Sequence, residues 1–274
     1  MDDRRKRRDA RRKKKEEQAK GCLGLVILLA MLILGAAVFW ASGSSPSWTD
    51  RLTDNPYGPE DFSSLGGYVT CTAGPTRRGI DVSEYQGKID WNAVKAGGFD
   101  FAFIRIGYRG YTTGEIFPDD LARENLADAK AAGIDVGVYF YSQAVSPEEA
   151  EAEARWCLEF LGSEMLDLPL VYDWEWVGPE ARTGGMDKAT LTECAKTFCQ
   201  TIESGGYQPM LYFNSHISRD LLDLQTLAQY PFWLAQYKEK MDYPYQVDFW
   251  QYTEEGTVPG IKGKVDIDLM FLYE

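Results

Sequence analysis

Histidine is nearly missing from this chain of 274 residues, which has only His216. One imidazole excludes multi-histidine metal sites and HExxH proteases, and any Ser-His or Cys-His mechanism would depend on it alone. Cysteine is scarce too, with five residues and no CxxC pair, which argues against a zinc site. There is no GxGxxG and no Walker loop, so no nucleotide-binding motif supports a nucleotide-binding α/β fold. Internal repeats are absent. Basic residues are a minority after residue 20, with 18 Lys/Arg against 37 Asp/Glu, a local charge of −19. Nucleic acid is therefore not an expected partner.

What the chain does contain begins with a charge contrast. Residues 1–20 carry 11 Lys/Arg against 5 Asp/Glu, and residues 21–49 carry no charge at all. The apolar stretch 21–41, as a helix, spans about 31 Å, which matches a hydrocarbon core of about 30 Å. A basic tail before such a span stays cytoplasmic and places the remainder outside the cell. The expectation is a single-pass anchor: tail 1–20, transmembrane helix 21–41, and contact with the lipid bilayer through 21–41. A cleaved signal peptide is the alternative, with Gly35-Ala36-Ala37 as its cleavage region, although the apolar run continues past it through Trp40.

Residues 42–77 are punctuated by Gly43, Pro46, Pro56, Pro59, Gly66, Gly67, Gly74 and Pro75, the pattern of a linker. Trp48, Tyr57, Phe62 and Tyr68 within it imply that part of the segment lies against the following domain. That domain, 78–274, alternates two kinds of pattern. Short β-branched and aromatic runs recur at 80–83, 101–108, 136–142, 170–176, 210–214, 232–237, 247–252 and 265–271. Helical patterns at 91–96, 119–132, 147–161 and 187–204 separate the first five. Ser146-Pro147 is a helix start, and Gly133, Gly162 and Gly205 follow helix ends. Alternation of this kind predicts an α/β fold with a parallel sheet, either a compact eight-stranded barrel or an open doubly wound sheet. The chain is 45% hydrophobic, enough to build such a core.

Barrel chemistry sits at the C-terminal ends of strands, and carboxylates fall there. Asp81 lies in the first run, Asp173 and Glu175 in the fourth, and Asp266 and Asp268 in the eighth. Residues i and i+2 of a strand share a face, so Asp173 and Glu175 point the same way. Burying like charges so close raises at least one pKa and yields a proton donor near neutral pH. A solvated strand face would also carry Asp-x-Glu, but the flanking Leu170, Val171, Tyr172, Trp174 and Trp176 argue against it.

These residues carry a family resemblance. Gly79-Ile80-Asp81-Val82-Ser83, with Gln86-Gly87, Ile89-Asp90-Trp91 and Val94-Lys95, resembles the opening of glycoside hydrolase family 25, the N-acetylmuramidase lysozymes. Phe103-Ile104-Arg105, Asp173-Trp174-Glu175, Trp233-Leu234-Ala235, Trp250-Gln251-Tyr252 and Val265-Asp266 match later blocks in order. The resemblance covers about 79–274. It implies an irregular (β/α) barrel of eight strands with about five helices, and cleavage of the β-1,4 bond between N-acetylmuramic acid and N-acetylglucosamine in peptidoglycan. It implies Glu175 as general acid, with Asp173 assisting the substrate's own 2-acetamido group in attack on the anomeric carbon, a known exception to two-carboxylate hydrolysis. Asp81 and Asp266 would line the cleft, and no cofactor or metal is needed. Two departures stand out. Many relatives have Tyr-His-Phe where this chain has Phe140-Tyr141-Ser142, and Asp268 stands where many have Asn.

Sugar faces stack on aromatic rings, which makes Tyr108, Tyr141, Tyr212 and Trp233 candidate substrate contacts beside Asp268. Core packing is the competing role for each. Outside a membrane, Cys71, Cys157, Cys194 and Cys199 suggest disulfides. Cys194 and Cys199 are awkwardly placed on one helix for a direct bridge, so one of them pairing with Cys157 is favoured over four buried thiols. The functional expectation is a membrane-anchored peptidoglycan hydrolase acting on glycan strands. A glycan-binding scaffold without activity and a chitinase-like hydrolase are the alternatives.

Overall fold

The computed structural model describes residues 52–273. Eight strands close into a barrel: β3 (Thr76–Val82), β4 (Phe101–Arg109), β6 (Asp135–Ser142), β7 (Leu170–Trp174), β8 (Pro209–Asn214), β9 (Phe232–Ala235), β10 (Phe249–Gly256) and β11 (Val265–Phe271). Pairing of β3 with β4 shuts the ring. The strands from β3 to β10 run parallel to their barrel neighbours, but β11 is antiparallel to both β10 and β3. The fully parallel sheet expected from the alternation therefore fails at its last strand. Only residues 257–264 join β10 to β11, too few for the crossover a parallel pair requires.

Among the described residues four α-helices cover the outside: α1 (Trp91–Ala96), α2 (Ala122–Ala131), α3 (Pro147–Leu161) and α4 (Lys188–Ser204). A π-helical turn at Ile217–Leu221 forms a fifth helical connection. Their ends obey local chemistry. Asp90, Ser146 and Asp187 accept hydrogen bonds from Ala93, Glu149 and Thr190 backbone N–H groups as N-caps. Pro147 takes the first turn of α3. Past α4 the left-handed residue is Gly206, at φ 86°, while Gly205 remains right-handed at φ −81°.

Strand alternation sorts the side chains into two cores. On β7, Leu170, Tyr172 and Trp174 face the helices, whereas Val171 joins the barrel interior with Phe101, Phe103, Met210, Trp233 and Phe249. Phe103 stacks on Trp233 at 4.6 Å and meets Phe249 edge-on at 5.1 Å. Gly137 makes room for this plug, because a Cβ there would stand 2.4 Å from the Phe103 ring. The lower barrel is therefore filled, and only its upper end is open to chemistry.

The aromatics of 42–77 do lie against the barrel from residue 52 onward. A hairpin, β1 (Phe62–Leu65) and β2 (Tyr68–Cys71), places Phe62 edge-on to Trp250 at 5.0 Å. Asn55 N–H donates to Pro244 O at 2.9 Å. Gly66 and Gly67, both at positive φ, form the turn of this hairpin, while Gly43 and Pro46 lie outside the described residues. A short strand, β5 (Ile116–Pro118), which the sequence patterns did not reveal, pairs antiparallel with β4.

Cys71, Cys157, Cys194 and Cys199 are free thiols, which corrects the expected bridge between Cys157 and the last helix. Cys157, Cys194 and Cys199 sit within the outer core as small apolar groups. Burial pushes the thiols of Cys157 and Cys199 well up, and that of Cys194 up to about 12. Among the described residues no helix is long and apolar enough to cross a membrane. The expected tail 1–20 and span 21–41 lie outside the described residues.

Candidate active site

The C-terminal ends of the parallel strands converge on a cavity of about 290 Å³. Asp81 of β3, Asp173 of β7, Glu175 just beyond β7, and Glu254 of β10 line it together with Asp266. The reversed direction of β11 explains Asp266. Its first residues lie where the other strands end, so Asp266 pairs in register with Asp81. Tyr141, Asp173, Tyr212 and Trp233 occupy one continuous row across β6, β7, β8 and β9.

A hydrogen-bonded frame holds these groups. Gln251 Nε2 donates to Asp81 Oδ2 at 2.7 Å, while its Oε1 accepts from Tyr212 OH at 2.8 Å and Tyr237 OH at 3.1 Å. Beneath them Asp268, at 0% exposure, accepts from Trp233 Nε1 at 2.8 Å. Among the described residues, Arg105 is the one cation on the cavity wall. Its Nε donates to Asp119 Oδ2 at 2.9 Å and its Nη2 to Glu84 Oε1 at 3.1 Å, so its charge is already largely matched. Asp173 Oδ1 is buried with no hydrogen-bond partner within the protein.

Burial and mutual repulsion push Asp81, Asp173, Glu175, Asp266 and Asp268 up. For Asp81, burial acts first, followed by Asp266 and Asp268, against a lowering by Gln251. For Asp173, burial and then Glu175 raise the carboxyl, while Arg105 pulls it down. Burial and Glu254 raise Glu175, and the same two causes bring Asp266 to about 6. The cluster thus retains protons where ordinary carboxylates have lost theirs, the condition for a general acid near neutral pH.

This charge state has a consequence for stability. Burial also raises Asp248 and Glu153, each to about 7. Groups raised on folding bind protons that the unfolded chain has released. Their contribution is full below the ordinary carboxyl range near pH 4 and disappears as pH climbs through about 6–7. A pKa raised by one is worth about 1.4 kcal/mol, so such groups together amount to several kcal/mol. The melting temperature is therefore expected to be higher near pH 5 than near pH 8. Thermal denaturation across that range checks it, and a Tm that increases toward pH 8 contradicts it.

The structure brings Asp81, Asp173, Glu175, Asp266, Tyr141, Tyr212 and Trp233 to one cavity. Tyr108 does not line it, although Arg105 of the cavity wall stands 5.1 Å from its ring. It stacks on Phe117 of β5 at 5.5 Å, because the short added strand covers that part of β4. Asp268 lies below the cavity floor. Trp233, 2% exposed, and Tyr212, 8% exposed, offer little ring face to a sugar, whereas Tyr85 and Tyr237 at the rim are 81% and 48% exposed. The sequence patterns do not single out Arg105, Tyr139, Tyr237, Gln251 and Glu254 as site residues. Arg105 and Gln251 lie inside motifs that carry the family resemblance, and strand periodicity alone would have turned both inward.

A closed barrel with buried, proton-retaining carboxyls and tyrosines at its mouth has the build of a glycoside hydrolase. The chain belongs to glycosyl hydrolases family 25, whose model matches residues 80–261. The autolytic lysozyme of Clostridium acetobutylicum is 29% identical over 194 residues, covering 70% of this chain and 55% of that protein. The modular autolysin LytC from Streptococcus pneumoniae, solved in complex with a synthetic peptidoglycan ligand, is 26% identical with a TM-score of 0.65, covering 77% of this chain and 52% of that one. This chain thus spans about half the length of these two relatives. A family 25 glycosyl hydrolase from Bacillus anthracis shares the fold, with a TM-score of 0.63 at 22% identity over 80% of this chain and 95% of the other.

Proposed function

We propose that this chain is a muramidase that cleaves the β-1,4 bond between N-acetylmuramic acid and N-acetylglucosamine in peptidoglycan glycan strands. The observation that carries the reading is the pairing of Asp173 and Glu175 in one cavity where burial raises both carboxyls. Glu175 gives its proton to the departing glycosidic oxygen. Asp173 accepts from the N–H of the 2-acetamido group and, ionised as positive charge develops beside it, stabilises that charge while the acetamido oxygen attacks the anomeric carbon. Asp81 is oriented by Gln251, and with Asp266 it lines the cleft beside the catalytic pair. Tyr85 and Tyr237 supply exposed ring faces at the mouth.

Digestion of purified peptidoglycan with mass analysis of the new reducing ends tests this reading. Muramic acid ends are expected. Glucosamine ends would instead identify a chitinase-like cut, and binding without digestion a scaffold.

The basic tail and uncharged apolar run of 1–41 support an uncleaved anchor with the catalytic domain outside the cell. Protease added to intact protoplasts should then degrade residues 78–274 and spare the tail. A mature secreted form that starts near residue 38 would overturn it.

A further inference from the structure

Glu175 stands one residue past the end of β7, in the segment 175–187, which has no helix or strand before α4. The ladder with β6 stops at Trp174. What holds the Glu175 backbone is a side chain: Gln143 Nε2 donates to the Glu175 carbonyl at 3.0 Å. Gln143, just after β6, is 0% exposed. Its Oε1 accepts from Thr183 Oγ1 at 2.8 Å, and its carbonyl accepts from Arg182 Nη1 at 2.7 Å. Arg182 in turn grips both carboxylate oxygens of Glu149 at 2.7 Å, and Glu153 is fixed by Ser142 and Arg109, each at 2.6 Å. Gln143 therefore ties the start of 175–187 and its later part to the end of β6 and to α3.

We propose that Gln143 is a positioning residue for Glu175: its carboxamide, braced by Thr183, fixes where the Glu175 carboxyl enters the cavity. A carboxamide suits the task because it donates and accepts in one plane. An apolar side chain of equal length would deprive the Glu175 carbonyl of this donor and leave the buried Thr183 hydroxyl without its acceptor. Small displacements of a reacting group are costly in rate, with about 1 Å worth about a hundredfold. This inference rests on the assignment of Glu175 as the acid.

Glu175 is faced by Tyr141 of β6, Asp173 of β7, Tyr212 of β8, Glu254 of β10 and Asp266 of β11, none of them a cation. Held among them, its proton is retained; released toward water, it is lost at lower pH. The test measures kcat and KM on peptidoglycan across pH for the wild-type chain, Gln143→Met and Thr183→Val. Gln143→Met is expected to lower kcat by about ten- to a hundredfold with KM nearly unchanged. The alkaline limb of its pH profile should move to lower pH, which a loss of folded protein alone would not do. Thr183→Val should shift both in the same direction by less. A folded Gln143→Met with wild-type kcat, or with reduced kcat and an unmoved limb, overturns the proposal. If that variant does not fold, an unchanged kcat and limb in Thr183→Val overturns it. Absence of digestion by the wild-type chain overturns the acid assignment itself, in an arm that contains no variant.

Discussion

Glu175→Gln should lose at least about 10²- to 10⁴-fold in kcat on peptidoglycan, the range that general acid catalysis supplies. Glutamine preserves the shape and leaves the backbone bond from Gln143 in place. It has no proton to give. Nor should the fold suffer, because the change removes a like charge from beside Asp173. Glycan binding should persist, so the loss belongs to kcat and not to KM. Turnover on purified peptidoglycan, together with a thermal melt of the same preparation, checks the expectation. Full activity in a folded Glu175→Gln would remove Glu175 from the acid role.

Asp173→Asn should be nearly as severe, for a different reason. In the proposed mechanism Asp173 accepts from the acetamido N–H, and its ionised form, favoured by Arg105 and by the developing cation itself, balances the oxazolinium charge. Asparagine retains a carbonyl acceptor but loses the charge. If the acetamido group is the nucleophile, glycan with a free amine at C2 of the muramic sugar should be cut far more slowly by the wild-type chain. The two losses should not multiply, because each disables one step: Asp173→Asn should add little on the deacetylated substrate. Equal wild-type rates on acetylated and deacetylated glycan would exclude the substrate's own nucleophile.

Much of the site was legible because its residues are tied to strand ends. Asp81, Asp173 and Asp266 could be placed from period-two alternation alone, which turns them into the barrel whatever their partners are. Glu175 was placed by the same argument, although β7 stops at Trp174 and the residue lies in coil. The i, i+2 rule reached the right cavity, and it was silent on what holds Glu175 there. Tyr108 shows where the reasoning fails. An aromatic at the end of β4 meets the site only if nothing else covers it, and β5 does. Three residues of strand, with no periodicity to read, displaced that candidate.

From the sequence by itself came the order of strands and helices, the N-cap Ser146, and the row of inward acids. All of these depend on residues a few positions apart. Only the tertiary structure decided that β11 reverses and that the thiols of the outer core stay free. The same is true of Gln251 binding Asp81 across 170 residues and Gln143 binding Glu175 across 32. The physical reason is shared. Alternation and capping are set by local backbone geometry, whereas a hydrogen bond between distant segments exists only once the closed barrel has brought their strand ends together.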